Sequence, residues 1–260
     1  MGLARFYVER VALGDLELDE AESNHASRVL RSQVGEDVLL FDGWGNEGFG
    51  TIRLIERRRV LVHVASTRFA PRDHEGRLAL AVAMPKGDRQ RNVIEKIVEL
   101  GVDHLIPIET ERSVAKVDQD AQARLARTMV EACKQSRRNR FLRIHPSILW
   151  KDFVRDSSWI SHTRCVLHPD TKGTTAESLV FEHFERRIHP SEGAKSFVFA
   201  IGPEGGFTEE EVRLAADQGF RTLDLGDRIL RVETAVAFAA VLGHLLTATP
   251  HADNRATQSH

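Results

Sequence analysis

Phe197-Val198-Phe199-Ala200-Ile201 runs directly into Gly202-Pro203-Glu204-Gly205-Gly206-Phe207, and then into Thr208-Glu209-Glu210-Glu211-Val212. Five consecutive apolar residues predict a strand buried on both faces, the mark of a parallel sheet. Glycines at the carboxyl end of such a strand let backbone amides approach a ligand closely, and open α/β sheets bind ligands at that edge. The helix that follows has a marked start: Thr208 can cap the free amides, and Glu211 three residues later completes a capping box. The glycine spacing is not G-x-G-x-x-G, so the dinucleotide fingerprint is absent. A small-molecule site and an ordinary tight connection both remain open.

The same grammar extends outward. Leu78-Ala79-Leu80-Ala81-Val82-Ala83-Met84 is a second continuous apolar run, followed by Pro85-Lys86-Gly87-Asp88 and a helix with Val93, Ile94, Ile97 and Val98 inward and Gly101 as its stop. Further strands are expected at His104-Leu105-Ile106-Pro107-Ile108, Arg164-Cys165-Val166-Leu167-His168 and Thr222-Leu223-Asp224-Leu225, with a helix over residues 121–135. Apolar strands alternating with helices predict an α/β fold with a parallel sheet. A last helix, residues 234–246, is apolar almost all round and must be buried in this subunit or against another copy.

The N-terminal third is different. Three β-like runs, at residues 38–41, 48–55 and 60–65, are separated by Asp42-Gly43, Gly45-Asn46 and a charged turn, and predict a small antiparallel barrel. Before them Asp19 can cap a helix to about residue 33, with Ala26, Val29 and Leu30 as its apolar stripe. His25, Arg28 and Arg31 lie on its other faces, as solvated surface or as RNA contacts. Residues 71–76 suit a linker, and residues 247–260 a polar tail.

Length and composition bound the function. The 260 residues fit one large or two modest domains, and 42% hydrophobic with 28% charged residues is globular composition. No apolar run reaches the ~20 residues of a membrane span, and the N-terminus lacks a secretory signal, so cytoplasmic residence is expected. Cys133 and Cys165 have no neighbour at metal-ligand spacing, and no metal is expected. A net charge of -2 means that any nucleic acid must be held by a local patch, for which Lys134, Arg137, Arg138, Arg140 and Arg143 are the clearest run.

Several motifs agree with one family. Arg5-Phe6-Tyr7-Val8, His25-Ala26-Ser27-Arg28-Val29-Leu30-Arg31, Lys86-Gly87-Asp88 with Glu99-Leu100-Gly101-Val102, Glu131-Ala132-Cys133-Lys134-Gln135-Ser136, Ile201 to Phe207, and Leu225-Gly226-Asp227-Arg228-Ile229-Leu230-Arg231-Val232-Glu233-Thr234-Ala235 occur in that order. Together they resemble the small-subunit ribosomal RNA uridine-N3 methyltransferases of the RsmE type, in the knotted SPOUT class. The resemblance implies a PUA-like RNA-binding barrel over residues 1–72 and a SPOUT methyltransferase domain with a deep trefoil knot over 73–247; the polar composition of 248–260 predicts a disordered tail. It implies a homodimer, S-adenosylmethionine as cofactor, and methylation of N3 of a uridine in 16S ribosomal RNA. Two departures stand out: charge packs in at Arg137-Arg138-Asn139-Arg140, and Asp227 stands where the family commonly has proline.

The resemblance also implies site residues. Backbone groups of Gly202, Gly205 and Gly206 would hold part of the cofactor beside Ile201 and Glu204. Leu225, Gly226, Ile229 and Leu230 would wrap its adenine, and Leu167, His168 and Pro169 would form a further wall. Arg231 would stabilise the uracil oxygens, or else form an ion pair with Glu233; Glu233 would accept a proton or order the loop. RNA contacts would come from Arg5, Arg28, Arg31, Lys86, Lys134, Gln135, Arg137, Arg138 and Arg140. Competing readings are a noncatalytic RNA-binding ribosome-assembly factor and, against the missing fingerprint, a nicotinamide-dependent oxidoreductase.

Overall fold

The computed structural model describes residues 3–56, 59–71, 78–169, 174–187 and 196–247. Most of the expected linker and nearly all of the expected tail therefore lie outside the described residues. Contacts divide the chain into two units, Met1–Asp73 with Ala123–Leu142, and His74–Gln122 with Arg143–His260. Residues 123–142, expected with the C-terminal domain, thus group with the N-terminal strands.

In the first unit, strands β1 (Ala4–Tyr7), β2 (Gly14–Glu17), β3 (Asp37–Phe41), β4 (Asn46–Glu56) and β5 (Arg59–Phe69) pair in the order β1-β3-β4-β5-β2. β3, β4 and β5 pair in antiparallel succession and β1 joins β3 in parallel, so the strands expected as an antiparallel barrel form a five-stranded sheet that includes one parallel pair. Alternation specifies the inner face: Val60, Val62 and Val64 of β5 are buried, against a core containing Phe6, Leu18, Leu40 and Ile52. At four residues each, β1 and β2 are too short to display that period in the sequence.

Asp19 caps helix α1 (Glu20–Asn24) as expected, accepting from the Glu22 amide at 2.7 Å. The helix then continues as a π-turn over His25–Leu30 and ends at Arg31, whose φ is 55°. Here the expected stripe fails: Ala26 is buried, but Val29 and Leu30 are exposed. A π-turn takes more residues per turn than the 3.6 assumed, which carries Val29 off the buried face. Leu30 is left as the last residue before the left-handed stop.

The second unit is built on a parallel sheet. Strand β6 (Leu78–Val82) leads to helix α2 (Arg89–Glu99) and strand β7 (His104–Glu109); after helix α3 (Gln119–Ser136), which from Ala123 on belongs to the first unit, come short strands β8 (Arg143–Ile144) and β9 (Ile148–Leu149) and helix α4 (Trp150–Phe153). Then follow β10 (Thr163–Leu167), β11 (Thr174–Thr175), α5 (Ala176–Arg187), β12 (Phe197–Ile201), α6 (Glu209–Asp217), β13 (Arg221–Asp224) and α7 (Val232–Thr247). The strand order is β11-β13-β10-β12-β6-β7-β8, with β9 also on β7, and every pairing is parallel. All ten residues of β6 and β12, the central pair, are buried.

Helix α7 packs on β6, β12 and α2. Gly243 permits the approach, since a Cβ there would stand 2.4 Å from Leu78 Cδ1. Val236, Ala239, Ala240, Leu242 and Leu246 are buried, worth about 1.5–3 kcal/mol for each large side chain. The burial is one-sided: Phe238, Val241 and Leu245, spaced i, i+3, i+7, remain exposed.

Candidate functional site

Parallel register brings Leu167 of β10 level with Ile201 of β12 and Leu223 of β13, so three carboxyl-terminal strand ends meet at one edge. The segments leaving those ends enclose a cavity of about 330 Å³. Its lining includes Leu167, His168, Pro169, Ile201, Gly202, Glu204, Gly205, Gly206, Leu225, Gly226, Ile229 and Leu230, the whole set singled out for the cofactor. Arg112, Pro203, Phe207, Leu223, Asp224, Arg228, Val232 and Ala235 complete it. Ile229 is 95% exposed, so it stands at the rim rather than in a wall.

The glycine turn is rigidly built. Gly206 has φ 69°, and its amide donates to the Pro203 carbonyl at 2.8 Å. Phe207 turns inward against Trp150, with ring centroids 4.6 Å apart. The expected capping box is present: the Thr208 amide donates to Glu211 Oε2 at 2.9 Å, and the Glu211 amide to Thr208 Oγ1 at 3.3 Å. Glu211 Oε1 also accepts from the Glu111 amide at 2.8 Å, while Arg112 donates to the Gly205 carbonyl at 2.7 Å. The loop after β7 is thereby latched to the turn.

Arg89, in the first turn of α2, was not foreseen. Its guanidinium spans two carboxylates, donating to Glu204 and, at 2.8 Å, to Glu233 Oε2. These partners lie 115 and 144 residues away, a separation with no local signature. The hydrogen-bonded ion pair of Glu233 is thus with Arg89, and the Arg231 charge acts on the same carboxylate more weakly. The bond to Arg89 is the main reason why the Glu233 carboxyl is held below its usual range, and it ties the start of α7 to α2. Arg231 is exposed and outside the cavity lining; its carbonyl starts α7 by accepting from the Thr234 and Ala235 amides, both at 2.9 Å.

A carboxylate with a depressed pKa stabilises the fold above its unfolded value, and this contribution is lost as pH falls through the folded one. Arg89→Ala should therefore be less stable than the wild type at neutral pH, with the gap in urea midpoint closing below about pH 4. A gap that stays constant down to pH 3 would separate Glu233 from Arg89.

The expected RNA-contact set is divided by burial. Arg5, Lys134 and Arg138 are buried in the first unit, a correction to their reading as surface contacts. Arg5 donates to Glu47 Oε1 at 3.2 Å and to the Arg138 carbonyl at 3.4 Å, with its guanidinium 5.0 Å from the Phe41 ring centroid. Lys134 is paired with Glu22, and with Glu131 at 2.7 Å. For Arg5 and Lys134 the physical reason is that Glu47 and Glu22 are themselves buried, and a buried carboxylate needs a cation beside it. Arg28, Arg31, Gln135, Arg137 and Arg140 remain exposed on this unit, and Lys86 on the other.

Both cysteines are buried, and burial pushes the Cys165 thiol up to about 12. Among the described residues no three His, Cys, Asp or Glu side chains are grouped as for a metal ion, and no helix is long and apolar enough to cross a membrane.

Comparison with known proteins agrees with this geometry. A model of RNA methyltransferase domains matches residues 72–243, and a model of RNA methyltransferase PUA domains matches residues 18–65. A structure described as a methyltransferase from Legionella pneumophila, with bound cofactor SAM, is 32% identical and covers 94% of this chain and 98% of its own, with a TM-score of 0.81. Ribosomal RNA small subunit methyltransferase E from Neisseria gonorrhoeae, bound to S-adenosyl methionine, is 28% identical with the same coverages and TM-score. The protein of that name from Synechocystis is 29% identical over 239 residues, 89% of this chain and 73% of that protein. A parallel α/β unit with its cavity at the carboxyl edge, a PUA-like unit and matches over both place the chain in the RNA methyltransferase family, among its RsmE-type members.

Proposed function

We propose that this protein methylates N3 of a uridine in 16S small-subunit ribosomal RNA, in the cytoplasm, with S-adenosylmethionine as donor. The observation that carries this reading is the convergence of all twelve expected cofactor residues on one cavity. The lining fits such a ligand. Leu167, Ile201, Leu225 and Leu230 offer apolar contact for a purine, and the backbone at Gly202, Gly205 and Gly206 offers polar groups without side-chain obstruction.

When bound, S-adenosylmethionine supplies an electrophilic sulfonium methyl. The chain's part is to align the acceptor and exclude water. Uridine N3 carries a proton that must leave before its lone pair can attack, so a cation near the uracil oxygens favours the reactive form. Arg231, between the lining residues Leu230 and Val232 on the segment entering α7, is our candidate for that role. Arg89 holds the two flanking carboxylates so that turn and helix keep their spacing.

Two finer features belong to the same proposal. The chain leaves β12 for β13, on the far side of β10, and returns in α7 to pack on β6 and β12; we read that return as the threading of a trefoil knot. The exposed stripe Phe238, Val241 and Leu245 suits the contact of a homodimer, since an apolar helical stripe is stabilised by a matching surface.

The test is methylation of small-subunit RNA from cells lacking the homologous enzyme, with the modified nucleotide mapped by mass spectrometry. A 3-methyluridine is expected; absence of product where a known homologue works would overturn the proposal. Arg231→Ala should lower kcat about tenfold, the loss of one hydrogen bond to a charged group, with S-adenosylmethionine affinity unchanged. A parallel loss of melting temperature would assign Arg231 to structure instead.

A further inference from the structure

Trp44 and Phe69, the most exposed tryptophan and phenylalanine among the described residues, stand on neighbouring stretches of backbone in the first unit, and methyl transfer uses neither. Trp44 is 76% exposed and Phe69 71%. Phe69 lies against Gly45: a Cβ built on that glycine would stand 3.0 Å from Phe69 Cε2. Trp44 is the preceding residue, so the two aromatics flank one glycine.

The backbone that presents them is fixed. Asp42, only 3% exposed, accepts from the Trp44 amide at 2.8 Å and from the Asn46 amide at 3.2 Å with Oδ1, and from Asn46 Nδ2 at 2.6 Å with Oδ2. The Gly45 carbonyl accepts from the Ala70 amide at 2.9 Å, which ties the end of β5 to the turn. On its other side, Trp44 forms an antiparallel bridge with Arg140. The flanking bonds are Gly45 N to Asn139 O at 2.9 Å and Phe141 N to Gly43 O at 2.8 Å. Trp44 and Arg140 are thus a non-hydrogen-bonded pair, the kind whose side chains stand closest on one face. Arg140 and Arg137 are both exposed.

Exposed rings on a rigid frame beside arginines match the chemistry of unpaired RNA, whose bases stack on aromatic faces while cations meet the phosphates. We propose that Trp44 and Phe69 form a stacking platform for unpaired bases of the RNA substrate, with Arg140 and Arg137 on the adjoining phosphates. This rests on the RNA methyltransferase reading and assigns that reading a specific contact surface.

Trp150 and Trp159 are buried, so quenching of exposed tryptophan fluorescence reports on Trp44. A 12-nucleotide single strand from small-subunit ribosomal RNA should quench it, and an abasic strand of the same length should not. Trp44→Ala and Phe69→Ala should each weaken binding of the 12-mer about tenfold, while Trp44→Phe keeps most of the affinity. Neither alanine variant should alter S-adenosylmethionine affinity or the slope of log K against log salt, because stacking releases no counterions. Arg137→Ala with Arg140→Ala should flatten that slope by about 1–2. Binding within twofold of wild type for both alanine variants overturns the platform, as does a loss of dimer in gel filtration at unchanged RNA affinity, which assigns the patch to protein contact. Wild-type methylation in the same preparation separates failure of the platform from failure of the parent reading.

Discussion

Gly206→Val is expected to lower S-adenosylmethionine affinity at least about 100-fold while leaving the protein folded. At φ 69° the backbone is in the left-handed region, where a β-branched residue is strained by about 1–3 kcal/mol. Relief of that strain means turning the peptide that now bonds Gly206 to Pro203, which moves the backbone that lines the cavity. The added methyls come on top. A Cβ at Gly206 meets nothing within 4 Å, so the new side chain occupies space along the cavity lining rather than striking the core. Gly202 makes the contrast: a Cβ there would stand 3.0 Å from the buried Phe207 ring, so Gly202→Val should strike the fold as well as the ligand. Titration calorimetry with melting curves taken without cofactor separates the two. An unchanged Kd for Gly206→Val would remove the glycine turn from the cofactor site.

Lys134→Met is expected to destabilise the protein by about 3–5 kcal/mol at neutral pH, the range for breaking a buried ion pair from one side. Glu22 would remain inside, bonded only by the Tyr7 amide at 3.2 Å among the contacts described. Burial is already the largest influence on Glu22 and raises its pKa, with Lys134 opposing. A raised carboxyl pKa means that stability is lost as pH rises through the folded value, because the charged form is the one disfavoured inside. Removing Lys134 raises it further, so the deficit should be largest at neutral pH and shrink in acid, where Glu22 is protonated. Urea unfolding across that range measures it, and Glu22→Gln combined with Lys134→Met should recover part of the loss. A deficit below 1 kcal/mol at pH 7 would show that the pair is not held apart from water.

That pair also explains how the basic run misleads. Lys134, Arg137, Arg138 and Arg140 look alike in sequence, as one cationic stripe. In the structure Lys134 and Arg138 turn inward while Arg137 and Arg140 face solvent. Charge count along a chain measures how many cations there are; the buried carboxylate of Glu22 decides that Lys134 is spent inside.

What the sequence determined by itself was local or periodic. The strands at 78–82 and 197–201 were legible because a strand covered on both faces is apolar throughout, and the α6 start because a capping box spans only four residues. The order of the motifs carried the family and, through it, the twelve cavity residues. What only the tertiary structure decided depends on partners far apart in the chain: Arg89 against Glu204 and Glu233, Arg112 on Gly205, and Trp44 beside Arg140 and Phe69. Local pattern records what each residue prefers, whereas ion pairs and cavity walls form between segments that sequence spacing leaves unrelated.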